Sequence, residues 1–383
     1  MTHIVMLLSN PFRPDPRVLK EARGLVQRGY RVTILCWDRL CEYSEAEELE
    51  SQLEVLRIRR IQSGYGIGLG QISKLVRFWR VILTHLHHLD PDMVHCHDFD
   101  TLPVGVYWCK RNNVPLVYDA HEYYADLVKP RLRGVIGKWI YDFITFSERW
   151  CAQRADAIIT VDESLAKIYR SLNNKVHVIG HFPPSILCEN PAEVFSGPVL
   201  TLLYIGRISQ DRGSILYVDI LRALLKDRIP ARLVIAGVFT PTQEEGLFWE
   251  RASGIEGNIN FINWVHYDNI LGVMRTGDVG LSILQPSPRY IAAVPVKLLE
   301  YMAVGLPVLA SKFPAVQAIV EPANCGCLID PTNSKEALSV IKDWWQHPEI
   351  PRELGKNGTM AIRNKYNWDD LMDKLDQLYQ TLM

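Results

Sequence analysis

The chain has 383 residues, 48% of them hydrophobic, and a formal net charge of -1. That length exceeds one ordinary core and fits about two domains. No uninterrupted apolar run near twenty residues marks a membrane span, and the balanced charge supplies no global basic field for nucleic acid.

Met1 to Leu8 is apolar but lacks a basic leader and a small-residue cleavage site. It reads as a first strand rather than an export signal. A helix over Arg17 to Arg28, ended by Gly29, and a strand from Arg31 to Trp37 complete a βαβ unit. The rhythm continues through Asp92 to His97, a helical stretch from Leu102, then Pro115 to Asp119, Ala157 to Val161 and Lys175 to Gly180. These elements compose one parallel-sheet domain, residues 1–185.

Periodicity lapses around Pro183-Pro184, Pro191 and Gly197-Pro198, which places a linker over residues 186–198. It restarts with strands at Val199 to Ile205, Arg232 to Ala236, Asn260 to Asn263, Val279 to Leu284, Pro307 to Ala310 and Cys327 to Ile329. This is a second parallel α/β domain, residues 199–365. In the tail, residues 366–383, the stripe Leu371, Leu375, Leu378 and Leu382 predicts an amphipathic helix that returns to the first domain. Doubly wound sheets bind ligands outside the carboxyl ends of their strands, so two facing Rossmann-like domains would share a cleft.

The eight cysteines (Cys36, Cys41, Cys96, Cys109, Cys151, Cys188, Cys325 and Cys327) fall mostly in apolar runs, where a reduced thiol packs as a small hydrophobe. A cytoplasmic setting fits. Cys325-Gly326-Cys327 has no second pair with which to build a zinc site and reads as core packing. The glycine run Gly64 to Gly70 has Leu69 where a dinucleotide fingerprint needs its third glycine, and reads as a loop. Gly134 to Trp139 lacks the spacing of a phosphate loop.

Asp98-Phe99-Asp100 beside His95 and His97 has the composition of a divalent-cation site at a strand end. The competing readings are that Asp98 caps the next helix and that the histidines are core groups. A polar contribution of His97 and Asp98 to the cleft is preferred, with no metal assigned.

In the second domain, Gly206 permits close ligand approach at a strand end, and Arg207 and Arg212 offer two guanidiniums to a diphosphate. Solvated surface arginines are the plain alternative. Pro295 to Pro307 supplies an anion site: proline at the first helical position, Gly305 past the end, and backbone N–H groups of Val296, Lys297 and Leu298 free to meet a phosphate. Glu300, one turn on, could accept both hydroxyls of a ribose.

Gly206-Arg207 with a cation five residues on, followed by Pro295-x-Lys-x-x-Glu and Gly305-Leu306-Pro307, resembles the family 4 retaining glycosyltransferases of GT-B fold. Asp15-Pro16-Arg17-Val18, Glu21-Ala22, His95-x-His97-Asp98, Asp119-Ala120-His121-Glu122 and Asn367-Trp368 are similar to that family's first-domain and tail motifs. The resemblance implies that Arg207 and Arg212 hold the donor diphosphate, Glu300 the ribose, and that His121 approaches the transferred sugar and acceptor. Asp15, Arg17, His97, Asp98 and Glu122 are then acceptor or cleft residues. Arg212 stands where the family usually has lysine, and Ala292 where many relatives carry a second glutamate that grips the donor sugar.

The expected reaction is transfer of a hexose or N-acetylhexosamine from a nucleotide-diphosphate sugar, UDP before GDP, to a saccharide or lipid-linked saccharide, as in polysaccharide biosynthesis. No cofactor or metal is required. A non-hydrolysing nucleotide-sugar epimerase is the enzyme alternative, distinguished by its product. Ala292 also allows a catalytically silent nucleotide-sugar-binding protein, distinguished by the lack of acceptor-dependent nucleotide release. Two basic groups in the first domain, Arg57, Arg59, Arg60, Lys74, Arg77 and Arg80 around Trp79, then Lys129, Arg131, Arg133 and Lys138, suggest peripheral contact with the inner face of a membrane. Solvated helix faces are the plain reading of both. His85, His87 and His88 are expected to face solvent.

Overall fold

Six consecutive buried residues, His3–Leu8, form the first strand, because a central parallel strand is covered on both faces and needs an unbroken apolar run. The computed structural model describes residues 1–13, 15–64, 69–129, 132–263 and 267–383. These divide into two units: Met1–His181 with Asp370–Met383, and Phe182–Asp369.

The first unit holds strands β1 (His3–Leu8), β2 (Arg31–Trp37), β3 (Ala46–Glu50), β4 (Leu53–Ile58), β5 (Met93–His97), β6 (Leu116–Ala120), β7 (Ala157–Thr160) and β8 (Val176–Val178). Their order is β3-β4-β2-β1-β5-β6-β7-β8. Every pairing is parallel except β3 with β4, so an antiparallel edge strand is added to an otherwise doubly wound sheet. Strand order reverses between β1 and β5, where a ligand crevice belongs.

The second unit holds β9 (Leu200–Ile205), β10 (Ala231–Ala236), β11 (Ile259–Ile262), β12 (Val279–Ser282), β13 (Val308–Ser311) and β14 (Gly326–Ile329). The order β11-β10-β9-β12-β13-β14, all parallel, is the Rossmann winding. Its reversal lies between β9 and β12. Each unit has its own apolar core.

Four sequence readings change. First, β3 and β4 are additional strands. Arg57, expected on a basic surface, is buried on β4, where its guanidinium donates to Pro11 O, Ser44 O and Glu47 Oε2. Three acceptors compensate its desolvation. Second, the expected linker packs into the second unit: Leu187, Cys188, Val194 and Phe195 join its core, and the Phe195 N–H donates to Asp278. Third, Asp98 does not cap the helix Leu102–Asn112. Thr101 occupies that position, and Asp98 sits at φ 60° in the left-handed region. Fourth, Trp79 is half-buried, with its indole N–H on Asp100 O. Residues 65–68 of the glycine run, and Arg131, lie outside the described residues.

The helix Trp368–Leu382 carries Leu371, Met372, Leu375, Leu378 and Tyr379 into the first unit. A Cβ added at Gly24 would stand 2.7 Å from Met372 Cε, so glycine is what lets this helix approach the helix Pro16–Gln27. Tyr30 OH donates to Asp376 at 2.7 Å, and Arg28 pairs with Asp373 at 2.5 Å. Among the described residues no helix is long and apolar enough to cross a membrane.

Candidate functional site

In the second unit, β9 delivers Gly206 at its carboxyl end with φ 130°, a conformation that glycine adopts without strain. A side chain there would meet Lys297: an added Cβ would lie 3.3 Å from Lys297 Nζ. Gly213, at φ 86°, is equally constrained, since a Cβ would fall 2.4 Å from Ile283 O. It caps the helix Ser214–Lys226 and places Arg212 just before it. Arg207 is exposed and Arg212 half-buried. The Arg207 carbonyl accepts from Tyr204 OH, while Arg212 stands 5.5 Å from the Tyr290 ring.

The helix Val296–Ala303 begins beside this strand end. Its N-cap is Pro295, at ψ 127°, so the helix starts at Val296, one position later than the sequence suggested. The Leu298 N–H donates to Pro295 O at 3.0 Å, so Leu298 is withdrawn as a phosphate donor. The remaining first-turn donors are Val296 and Lys297. Gly305, at φ 81°, ends the helix, and Leu306 N–H closes onto Tyr301 O at 2.9 Å. Glu300 is half-buried on the helix.

The feature that sequence reasoning missed is the Lys297 side chain. Its side-chain nitrogen is buried 3.8 Å from the Tyr204 ring centroid and has no hydrogen-bond partner among the described residues. Burial, and then the nearby Arg212 charge, hold its pKa well below that of a free lysine, with Glu300 opposing. Its setting among Leu298, Leu299 and Tyr301, all buried, was the available signal.

In the first unit, β5 and β6 bring His95, His97, Asp119 and His121 together. Asp119 Oδ2 lies 3.1 Å from His97 Nδ1 and 3.0 Å from His121 Nε2. Asp98 Oδ1 stands 3.3 Å from His121 Nδ1. Burial opposes charge on His121, but Asp119 and then Asp98 outweigh it and hold its pKa well above the ordinary value. Burial would also raise both aspartates, yet His121 keeps Asp98 low and Asp119 well below the carboxylate range. His181, whose ring centroid is 5.4 Å from that of His121, is pushed well below its ordinary value by burial and by that charge.

Behind them, His95 Nδ1 is 2.5 Å from Tyr379 OH, and the His97 and His95 rings stack at 4.3 Å. Glu21, His95, His97 and Asp119 offer donor atoms within 4.8 Å of one another, a set that could ligate a metal by composition. Asp119 of that set is also the carboxylate shared by the His97 and His121 imidazoles.

Asp15, a cleft candidate, caps the helix Pro16–Gln27 and also accepts from Asn10 and Arg17. Desolvation opposes the Arg17 charge, but Asp15 with Asp98 and Asp119 raises its pKa. Asp15 and Arg17 line a cavity of about 280 Å³ with Asn10, Arg13, Asp38 and Arg39, at the carboxyl ends of β1 and β2. Glu122 is exposed.

Glu21 gives a pH-dependent prediction. Burial first, and Asp119 second, push its carboxyl from 4.5 to about 7, against His97, His121 and Lys20. Between those values the folded chain keeps a proton that the unfolded chain releases, so this group costs stability as pH rises. Glu21→Gln removes that cost, and its stability relative to the parent should improve by about 3 kcal/mol from pH 4 to pH 8. Denaturant unfolding at both pH values measures it; an unchanged difference would refute the assignment.

Two doubly wound parallel-sheet units are the architecture of the GT-B class, and a glycine, two arginines and a buried lysine gather around the end of β9 in the second of them. The profile described as Glycosyltransferase Family 4 matches residues 17–182, and that described as Glycosyl transferases group 1 matches residues 190–360. The chain belongs to the family 4 glycosyltransferases of GT-B fold, enzymes that use nucleotide-sugar donors.

It is similar to a D-inositol 3-phosphate glycosyltransferase of Geodermatophilus obscurus, 24% identical over 94% of this chain and 83% of that enzyme. A match to the alpha-D-kanosaminyltransferase of Streptomyces kanamyceticus, at 22% identity, covers 47% of this chain and 45% of that enzyme. Among solved structures, a sucrose-phosphate synthase from Thermosynechococcus elongatus superposes at TM-score 0.75, with 17% identity over 100% and 99% of the two chains. Anabaena HepE in complex with UDP superposes at 0.70, with 15% identity over all of both chains.

Proposed function

We propose that the chain transfers a hexose or N-acetylhexosamine from a UDP-sugar, with GDP-sugars as the next choice, to a saccharide or lipid-linked saccharide, with retention and no required metal. The observation that carries this is the buried Lys297 side-chain nitrogen, without a hydrogen-bond partner among the described residues, beside the left-handed Gly206. Burial and the Arg212 charge outweigh Glu300 there, so an incoming anion is favoured, and the open strand end lets a diphosphate approach it. Arg207 and Arg212 supply further positive charge, Val296 and Lys297 the backbone donors, and Glu300 the ribose contact. UDP is preferred because HepE, of the same fold, is described in complex with UDP. Both matching profiles describe glycosyl transfer, which favours transfer over epimerisation.

His121 supplies positive charge in this scheme. Held as an imidazolium with both ring nitrogens turned to Asp119 and Asp98, it acts on sugar or phosphate oxygens through its charge and not through a free N–H, and is unsuited to serve as a general base. Asp15, Arg17, His97, Asp98 and Glu122 are assigned to the acceptor side, where Asp15 and Arg17 line a cavity of mixed charge with Arg13, Asp38, Arg39 and Glu42 that suits the hydroxyls of a saccharide. The proposed division of labour is residues 1–185 for acceptor and 199–365 for donor. Eight free cysteines support a cytoplasmic setting.

The test is ligand-induced thermal shift with UDP-, GDP- and ADP-sugars. A UDP-sugar is expected to give the largest shift, and Lys297→Met should abolish it. No shift with any of the three, or an undiminished shift in the variant, overturns the site.

A further inference from the structure

The helix Gly134–Ala152 presents the wrong face to water. Val135, Ile136, Trp139, Phe143 and Phe146 are 66–76% exposed, while Gly137, Glu148, Cys151 and Ala152 face the protein. At 3.6 residues per turn, these five exposed residues with Ile140 and Trp150 fall within an arc of about 140°, on a helix about 28 Å long. A helix on a water-facing surface ordinarily turns its polar side outward. Here the body of the unit already covers the opposite side: Glu148 is buried and accepts from the backbone N–H groups of Tyr124 and Ala125 and from Tyr169 OH. The apolar stripe is therefore the side of the helix turned away from the core.

Charge identifies the occupant. Lys138 and Arg149, both exposed, follow one margin of the stripe, where Asp142 is the acid between them. Exposed Lys129 stands 5.4 Å from the Tyr141 ring, and Arg154 lies 3.6 Å over the Trp150 ring. Cations at the edge of an apolar face rich in tryptophan and phenylalanine match a bilayer surface with anionic headgroups. The neighbouring helix Tyr124–Val128 adds Leu127, also exposed. The helix is not apolar enough to span a membrane.

We propose that this helix lies in the plane of an anionic lipid bilayer, with Trp139, Phe143 and Phe146 inserted among the acyl chains and Lys138 and Arg149 at the phosphates. This surface takes up Lys129 and Lys138 of the second basic group read from the sequence and adds the apolar stripe that group did not include; it is separate from the first group, of which Arg57 is buried and Arg59 pairs with Asp38. It does not depend on which sugar is transferred.

The test is co-sedimentation of the full chain with vesicles of equimolar phosphatidylglycerol and phosphatidylcholine, and with phosphatidylcholine alone. Binding is expected to the anionic vesicles, to weaken at high salt, and to fall at least tenfold in Trp139→Asp/Phe143→Asp. Blue-shifted tryptophan emission on the anionic vesicles would mark insertion, and an unchanged melting temperature would show that the variant folds. No vesicle binding, or equal binding by the variant, overturns the proposal. So does a dimer in light scattering that the variant abolishes without vesicle binding, because a second copy of the chain would then be what covers the stripe.

Discussion

Arg207→Ala is expected to lower kcat/KM for the nucleotide sugar by about 100-fold, equivalent to about 3 kcal/mol of activation free energy. The leaving diphosphate gains negative charge as the glycosidic bond breaks, so a guanidinium beside it is worth more in the transition state than in the bound substrate. Because Arg207 is exposed, the same change should move unfolding stability by less than about 0.5 kcal/mol. Arg207→Lys should recover only part of the loss, since a point charge cannot reproduce the two-pronged contact of a guanidinium. Steady-state kinetics with unfolding curves for both variants test this. Unchanged kcat/KM in the alanine variant would remove Arg207 from the donor site.

Lys297→Met should move two measurements in opposite directions. A buried ammonium without a partner costs folding energy, and methionine fills similar volume, so the variant should be more stable by about 1–3 kcal/mol. Nucleotide-diphosphate affinity should fall by about 100-fold, because the amine that becomes charged against the bound anion is gone. The lowered lysine pKa adds a proton signature. A bound diphosphate restores the charged form, so the parent should take up a proton on binding and bind less tightly as pH rises. Titration calorimetry in buffers of different ionisation enthalpy reads this uptake, which the variant should lack. A variant that loses stability, or that keeps its affinity, would show that Lys297 is only a packing residue.

The strands β1, β2, β5, β6 and β9 were legible because parallel strands buried on both faces are unbroken apolar runs. β3 was not, since Ala46–Glu50 carries three glutamates on an edge half open to solvent. β4 was hidden by Arg57, whose burial depends on acceptors from Pro11 and Ser44 that no local pattern announces.

The residues proposed for the donor were legible as types at strand and helix ends, whereas the sequence marks Lys297 only for its backbone N–H and not for its buried side chain. A lysine in a first helical turn reads as solvated unless its neighbours show that the turn is buried. Glu21 left a clearer trace, for Val18, Glu21, Ala22 and Leu25 share the buried face of one helix, and an acid in that register invites a partner. The apolar stripe of Gly134–Ala152 was in the sequence, but periodicity gives the angle of a stripe and not which side of the helix faces water.

The first unit is assembled from two separate stretches of chain. Residues 370–383 carry Tyr379 to His95, yet everything from Phe182 to Asp369 is built in between. During synthesis the second unit has all its residues before the first does. Until residues 370–383 arrive, the surface that will receive them leaves His95 without its tyrosine and the groove at Gly24 without Met372. The first unit therefore closes its histidine cluster only after every residue of the second unit has been made.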